Sequence, residues 1–328
     1  MIDDVEKEAI YEAWERAELA EVAADKATKL LRIAVLSDTR LPTSRAYPGH
    51  GLGKMAIAVA EGLAGRGHTV ELYAGPGSES DVVEVRTFDD EKTYPITAGD
   101  YDVVLSNTHY HTLQKRVEMP IVNCSSDREA PPGKCAIYPS NAHARYFRAR
   151  NPRVIRNGID LPEMPAVERG DYVAYLGAMH AHKGPLMARE AARLAGVKLV
   201  MAGPGTPPPG VEYRGEVSGQ AKWDFLAGAR ALVFMGTIES AGLVALEAQA
   251  VGTPVICTSF GGAQEYTAAF GWNCADDTLA LENALRVAMM FEAPRELLRE
   301  FVEKEFSTAR MIDETEQALR DAAEGSVW

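Results

Sequence analysis

The chain lacks any C-x-x-C pair, and its four cysteines (Cys124, Cys135, Cys257, Cys274) have no histidine at zinc-ligand spacing. That excludes a zinc ribbon and a disulfide scaffold, and leaves reduced, mostly buried thiols. No stretch approaches the roughly 18 apolar residues of a membrane-spanning helix. Positive charge is scarce: 34 Lys and Arg against 47 Asp and Glu leave a formal net charge of −13. Such a balance disfavours a protein that tracks the phosphates of long nucleic acid, which wants a basic face. It also disfavours broad adhesion to anionic lipid, while leaving room for peripheral contact through a local basic patch. Residues 1–29 contain no proline or glycine and are acidic, so they do not read as a secretory signal. A cytoplasmic protein is expected.

What is present is an ordinary globular balance, with 46% apolar and 25% charged residues over 328 positions, enough for two domains. Residues 1–29 read as a helical arm. Arg32–Ser37 is a short apolar strand, followed by the glycine-rich loop Gly49-His50-Gly51-Leu52-Gly53-Lys54, a helix over Met55–Leu63 and a strand over Thr69–Tyr73. This strand–loop–helix–strand unit marks a parallel sheet wound with helices. Further strands are expected at Val82–Val85, Val103–Leu105, Ile121–Asn123 and Ala136–Tyr138. A helix capped by Ser140 or Asn141 is expected to run to Arg150. A Pro/Gly-bearing linker around 160–170 leads to a second wound pattern. Its strands are Tyr172–Leu176, Lys198–Ala202, Val211–Tyr213, Ala231–Met235 and Val255–Cys257. Its helices are Pro185–Ala195 and Gln220–Ala227. From about Thr278 the tail reads as helical. The expected divisions are 1–29, 30–160, 161–290 and 291–328, the last packing back on the first sheet domain.

The most telling stretch is Glu239-Ser240-Ala241-Gly242-Leu243-Val244-Ala245-Leu246-Glu247. A strand runs into a carboxylate at a loop tip, then a helix start, then a second carboxylate. Free amides at a helix start attract phosphate. Carboxylates on the same approach accept hydrogen bonds from sugar hydroxyls. The combination suits a nucleotide-sugar site.

Five segments together resemble family 4 of the retaining glycosyltransferases: residues 153–161 (RVIRNGIDL), 175–184 (YLGAMHAHKG), 211–217 (VEYRGEV), 239–255 (ESAGLVALEAQAVGTPV) and 261–265 (GGAQE). The resemblance covers roughly residues 32–290 and implies the GT-B fold, two Rossmann-like domains facing across a cleft. It implies a metal-independent hexosyltransferase with no resident cofactor, whose co-substrate is a nucleoside-diphosphate sugar, most readily a UDP-sugar. No D-x-D triplet of the metal-diphosphate type is present. By resemblance Glu239 lies beside the donor sugar, Glu247 holds the ribose, and Gly242 and Leu243 offer amides to the diphosphate. Lys183 neutralises the leaving group, where negative charge builds as the glycosidic bond breaks. Gly51, Gly177 and Gly262 let backbone approach the donor, and Glu265 shapes the same loop. Asn107 aligns with a histidine that faces the acceptor in the family, and His109 stands two residues on.

The chain departs from the pattern where the family reads G-R-x-x-x-x-K-G: Ala178 stands in the arginine's place. His180, His182 or an arginine from elsewhere could supply the missing charge. Arg145, Arg148, Arg150, Arg153 and Arg156 form a local basic run, read as a solvated face. Three alternatives stay open. One is a degenerate GT-B protein that binds nucleotide or a partner without transfer. Another is a transferase acting on modified DNA bases. The third is a sugar-nucleotide epimerase, disfavoured by the E-x7-E context. The acceptor and the oligomeric state are not readable from the sequence.

Overall fold

The computed structural model describes residues 29–45, 51–90, 95–108, 118–124, 134–236, 239–267, 271–275 and 277–328. The helical arm expected over 1–29 therefore lies almost wholly outside the described residues. Among the described residues the first domain carries seven strands: β1 (Arg32–Leu36), β2 (Thr69–Ala74), β3 (Glu84–Thr87), β4 (Val103–Ser106), β5 (Ile121–Cys124), β6 (Cys135–Tyr138) and β7 (Arg153–Val154). They form one parallel sheet in the order β3-β2-β1-β4-β5-β6-β7. Helices α1 (Gly51–Ala64) and α2 (Asn141–Tyr146) belong to it.

The second domain holds β8 (Tyr172–Leu176), β9 (Lys198–Ala202), β10 (Glu212–Tyr213), β11 (Leu232–Phe234), β12 (Val255–Thr258) and β13 (Trp272–Cys274). Their order is β10-β9-β8-β11-β12-β13, again parallel throughout. Helices α3 (Pro185–Ala195), α4 (Gly219–Ala227), α5 (Leu243–Ala250) and α6 (Thr278–Met290) wind around it, and α7 (Arg295–Glu305) and α8 (Thr308–Ala323) follow.

The inner strands of both sheets are buried on both faces, which is why they read as unbroken apolar runs. On β1, Ile33 and Val35 join the core beneath α1, while Ala34 and Leu36 pack on the other face with Tyr73 and Ile96. Side-chain caps set several helix starts: Ser140 Oγ accepts from His143 N at 3.1 Å, and Asp277 accepts from Ala280 N at 2.8 Å.

Three expectations shift. Helix α2 stops at Tyr146 rather than Arg150, and Arg148 and Asn151 take left-handed backbone, with φ of 51° and 50°. Strand β3 begins at Glu84 instead of Val82; it is an edge strand, so the register of β2 sets its bounds. The short edge strand β13 was not expected, because three residues carry too little apolar pattern to be seen.

The final helix crosses back to the first domain. Met311, Ile312, Ala318 and Leu319 of α8 share one core with Ile57, Val59 and Leu63 of α1. Gly62 permits the approach: a Cβ there would sit 2.1 Å from Ile312 Cδ1. Polar ties reinforce it. Glu316 accepts from Arg66 at 2.7 Å and lies 3.2 Å from His68 Nε2.

Strand order reverses between β1 and β4 in the first sheet and between β8 and β11 in the second. In open parallel sheets the ligand crevice lies at such switch points, outside the carboxyl ends of the strands. Here both switch points open on the space between the domains. A seam beside it ties the domains together. Glu265 accepts from Asn141 N (2.9 Å), Asn141 Nδ2 (2.9 Å) and Ala142 N (2.7 Å). Tyr266 donates its hydroxyl to Pro139 O at 2.6 Å and accepts from Asn157 N at 3.0 Å. Among the described residues no helix is long and apolar enough to cross a membrane.

Candidate functional site

Two cavities open on the interdomain space and meet at Lys183, Phe234 and Val244, which line both. The first, of about 290 Å³, reaches into the first domain. The second, of about 940 Å³, lies over the carboxyl ends of β8 and β9 and beside α4 and α5.

The loop after β8 builds the junction. Tyr175 donates its hydroxyl to Ala178 O at 2.9 Å, which pins the Gly177-Ala178 stretch. A tight turn over Ala181–Lys183 follows, closed by Gly184 in the left-handed region at φ 74° and by Pro185 at the first position of α3. That conformation suits glycine and fixes where Lys183 emerges. Gly177 lines the second cavity, and a Cβ there would meet nothing nearer than the Tyr175 hydroxyl at 3.8 Å. Packing therefore does not require a glycine at this position.

The loop after β11 brings Glu239 to the same point. Lys183 Nζ donates to Glu239 Oε1, joining the two loops at the switch point. The chain then turns into α5, whose Ncap is Gly242 with no side-chain cap. The first amides of α5 are therefore free for a ligand, and Leu243 and Val244 stand at the cavity walls.

One turn into α5, Glu247 meets a second lysine. Lys222 Nζ on α4 donates to Glu247 Oε1 at 2.7 Å, with both side chains largely buried. The Lys222 ammonium also lies 3.9 Å from the centre of the Trp223 ring, a cation–π distance. Lys54 of α1 approaches the same oxygen from the other domain at 3.6 Å. Burial lowers the Lys222 pKa below its ordinary 10.5; Glu247 opposes that shift and Lys54 adds to it. Lys222 was not anticipated in the sequence. The only signal for it was the position of α4, which starts from the same sheet end as the β8 and β11 loops.

The remaining candidates are placed as follows. Asn107 lines the first cavity, but its Nδ2 donates to Leu52 O at 2.7 Å, so its amide holds the start of α1. His109 lies outside the described residues, as do Gly49 and His50 of the glycine-rich loop. Gly51 opens α1 instead of sitting in a loop, and a Cβ there would fall 2.9 Å from Leu243 Cδ1 across the interdomain space. Gly262 lines neither cavity: a Cβ on it would lie 2.3 Å from Ser240 O and 2.7 Å from Ser140 Oγ, on the seam between domains. Glu265 belongs to that seam too. His180 and His182 stack on each other, with ring centres 5.7 Å apart, and line neither cavity. Of the basic run, Arg145, Arg148 and Arg150 are exposed, whereas Arg153 pairs with Asp321 at 2.6 Å and Arg156 approaches Glu265 at 3.7 Å.

Comparison with known proteins agrees with the two-domain fold. Residues 170–290 match the family described as Glycosyl transferases group 1. A D-inositol 3-phosphate glycosyltransferase of Mycobacterium avium (strain 104) is 32% identical over 156 residues, covering 42% of this chain and 36% of the relative. The chain thus spans about a third of the length of the curated relatives it matches. AviGT4, a glycosyltransferase involved in avilamycin A biosynthesis, superposes with a TM-score of 0.75 at 22% identity, over 91% of this chain and 99% of that one. Anabaena HepE, solved in complex with UDP-glucose, superposes with a TM-score of 0.66 at 16% identity, over 88% of this chain and 100% of that one. The fold is GT-B.

Proposed function

We propose that this chain, whose second domain matches the glycosyl transferases group 1 family within a GT-B fold, moves a sugar from a nucleoside-diphosphate donor to an acceptor hydroxyl. The observation that carries the proposal is the continuous site at the switch point. Lys183 pairs with Glu239 and Lys222 pairs with Glu247, on either side of the uncapped start of α5. The donor lies in the 940 Å³ cavity, with its ribose at Glu247 and its diphosphate at the α5 amides. Glu239 faces the sugar. Lys183 stabilises the charge that develops on the departing diphosphate. Lys222 and Lys54 supply the cationic charge that Ala178 does not.

Both carboxylates are engaged by lysines, which favours transfer with retention on one face of the sugar over a double displacement through a free carboxylate. In that reaction the acceptor oxygen bonds to the anomeric carbon as the bond to the diphosphate oxygen breaks. The acceptor proton passes to the diphosphate. The UDP-glucose complex of Anabaena HepE supports a UDP-sugar as donor.

The test is release of nucleoside diphosphate from UDP-, GDP- and ADP-sugars in the presence of mixed acceptors, by wild type and Lys183→Ala. Release from a UDP-sugar, lost in the variant, is expected. Donors that bind without release would leave a nucleotide-binding protein, the reading that Ala178 favours.

A further inference from the structure

We propose that the acceptor is a small apolar alcohol or phenol, seated in the 290 Å³ cavity with its hydroxyl at Lys183 and Glu239. The proposal rests on the transferase reading above and names its second substrate by chemical class.

The cavity has a polar mouth and an apolar body. Lys183, Glu239 and Ser240 form the mouth. The body passes between α1 and α8 and over the ends of β4, β5 and β6. Its walls include Val59, Leu105, Ile137 and Met311, which are 6%, 1%, 6% and 3% exposed, together with Cys124 and Thr315. Burial pushes the Cys124 thiol up to about 12, so it presents a neutral S–H to the cavity. Thr315 brings a hydroxyl to the wall, while the Asn107 Nδ2 is already turned to Leu52 O.

Protein interiors are close-packed, and an apolar cavity left unfilled costs stability in proportion to its volume. A space of this size beneath α1, opening on the Lys183–Glu239 pair, is best explained as room kept for a ligand. Most of the walls of the body are apolar, which suits an apolar ligand. A sugar in the body would bury several hydroxyls against Val59, Leu105 and Ile137, which offer them no partners, a costly arrangement. An apolar skeleton fills it without that loss, and the one hydroxyl it carries reaches the mouth. There its oxygen bonds to the anomeric carbon, the carbon–diphosphate bond breaks, and its proton leaves on the diphosphate. The volume sits at the small end of ligand pockets, which restricts the skeleton to a compact one.

The experiment titrates the full chain with naphthol, whose fluorescence reports an apolar environment, and compares wild type with Val59→Phe and Thr315→Leu, which fill the body from opposite walls. The expected result is binding by wild type, weakened at least tenfold in both variants, while the thermal shift given by UDP is unchanged. With any donor that releases its nucleotide, mass spectrometry is expected to find the sugar on naphthol and not on added maltose. No binding of naphthol, equal binding by wild type and both variants, or sugar found on maltose in preference overturns the proposal. Failure of the transferase reading looks different: no nucleoside-diphosphate sugar releases its nucleotide, whatever naphthol does.

Discussion

Lys183 and Glu239, 56 positions apart, meet as an ion pair at the point where the strand order of the second sheet reverses. Neither residue could find the other without the parallel order that sets β11 beside β8. Replacing Lys183 with alanine removes a cation from the developing diphosphate charge. A single preorganised electrostatic contact of this kind is worth about 10²–10³ in kcat. Steady-state kinetics should show kcat falling by that factor while donor affinity changes much less.

Lys222→Ala should weaken donor binding about tenfold, the loss expected when a charge-assisted contact of about 1.5 kcal/mol disappears. Lys222→Arg should retain most of the affinity. Burial already lowers the Lys222 pKa. Wild-type donor affinity should therefore fall as pH rises through that lowered value, below the ordinary 10.5. The arginine variant should hold its affinity over the same range, as measured by calorimetric titration at stepped pH.

Tyr266→Phe should destabilise the chain by about 1–3 kcal/mol, because it leaves Pro139 O and Asn157 N without their buried partner. Both lost bonds cross between the domains. Hydrogen exchange should accordingly quicken at Asn157 and around α2, with β8 and β9 unaffected.

Much of the architecture was legible because its signals are local. Strands β8 and β9 and helix α3 fall where apolar runs and Pro/Gly punctuation put them. Glu239 and Glu247 could be read as one candidate site since a strand end and a helix start flank them, and the family resemblance added Lys183. What was hidden depends on pairing across the fold. Lys222 touches Glu247 only once α4 is laid beside α5. Gly262 and Glu265 look like pocket residues in sequence, yet they serve the seam, because the partners Ser140, Asn141 and Ala142 come from the other domain. Asn107 reads as an acceptor-side donor, but its amide is taken by Leu52 O.

Acid should loosen the final helix. Burial raises the Glu316 pKa, but hydrogen bonds from Arg66, Arg320 and His68 outweigh it and bring the carboxyl from 4.5 down to about 2. A carboxyl depressed on folding stabilises above its unfolded pKa, and that stabilisation is lost as pH falls from about 4.5 towards 2. Thermal melts over that window should fall more steeply for wild type than for Glu316→Gln. The variant should be less stable at neutral pH and nearly level with wild type at the acid end.

A donor site bounded by Glu239 and Glu247 should reveal itself in calorimetric titration of UDP into wild type and Glu247→Ala. The ribose contact assigned to Glu247 is a charge-assisted hydrogen bond of about 1.5–3 kcal/mol, so its loss should raise Kd by roughly ten- to a hundredfold. Wild-type binding with that weakening in the variant is the predicted result. Equal affinity in both proteins, or no binding by wild type, would contradict the assignment.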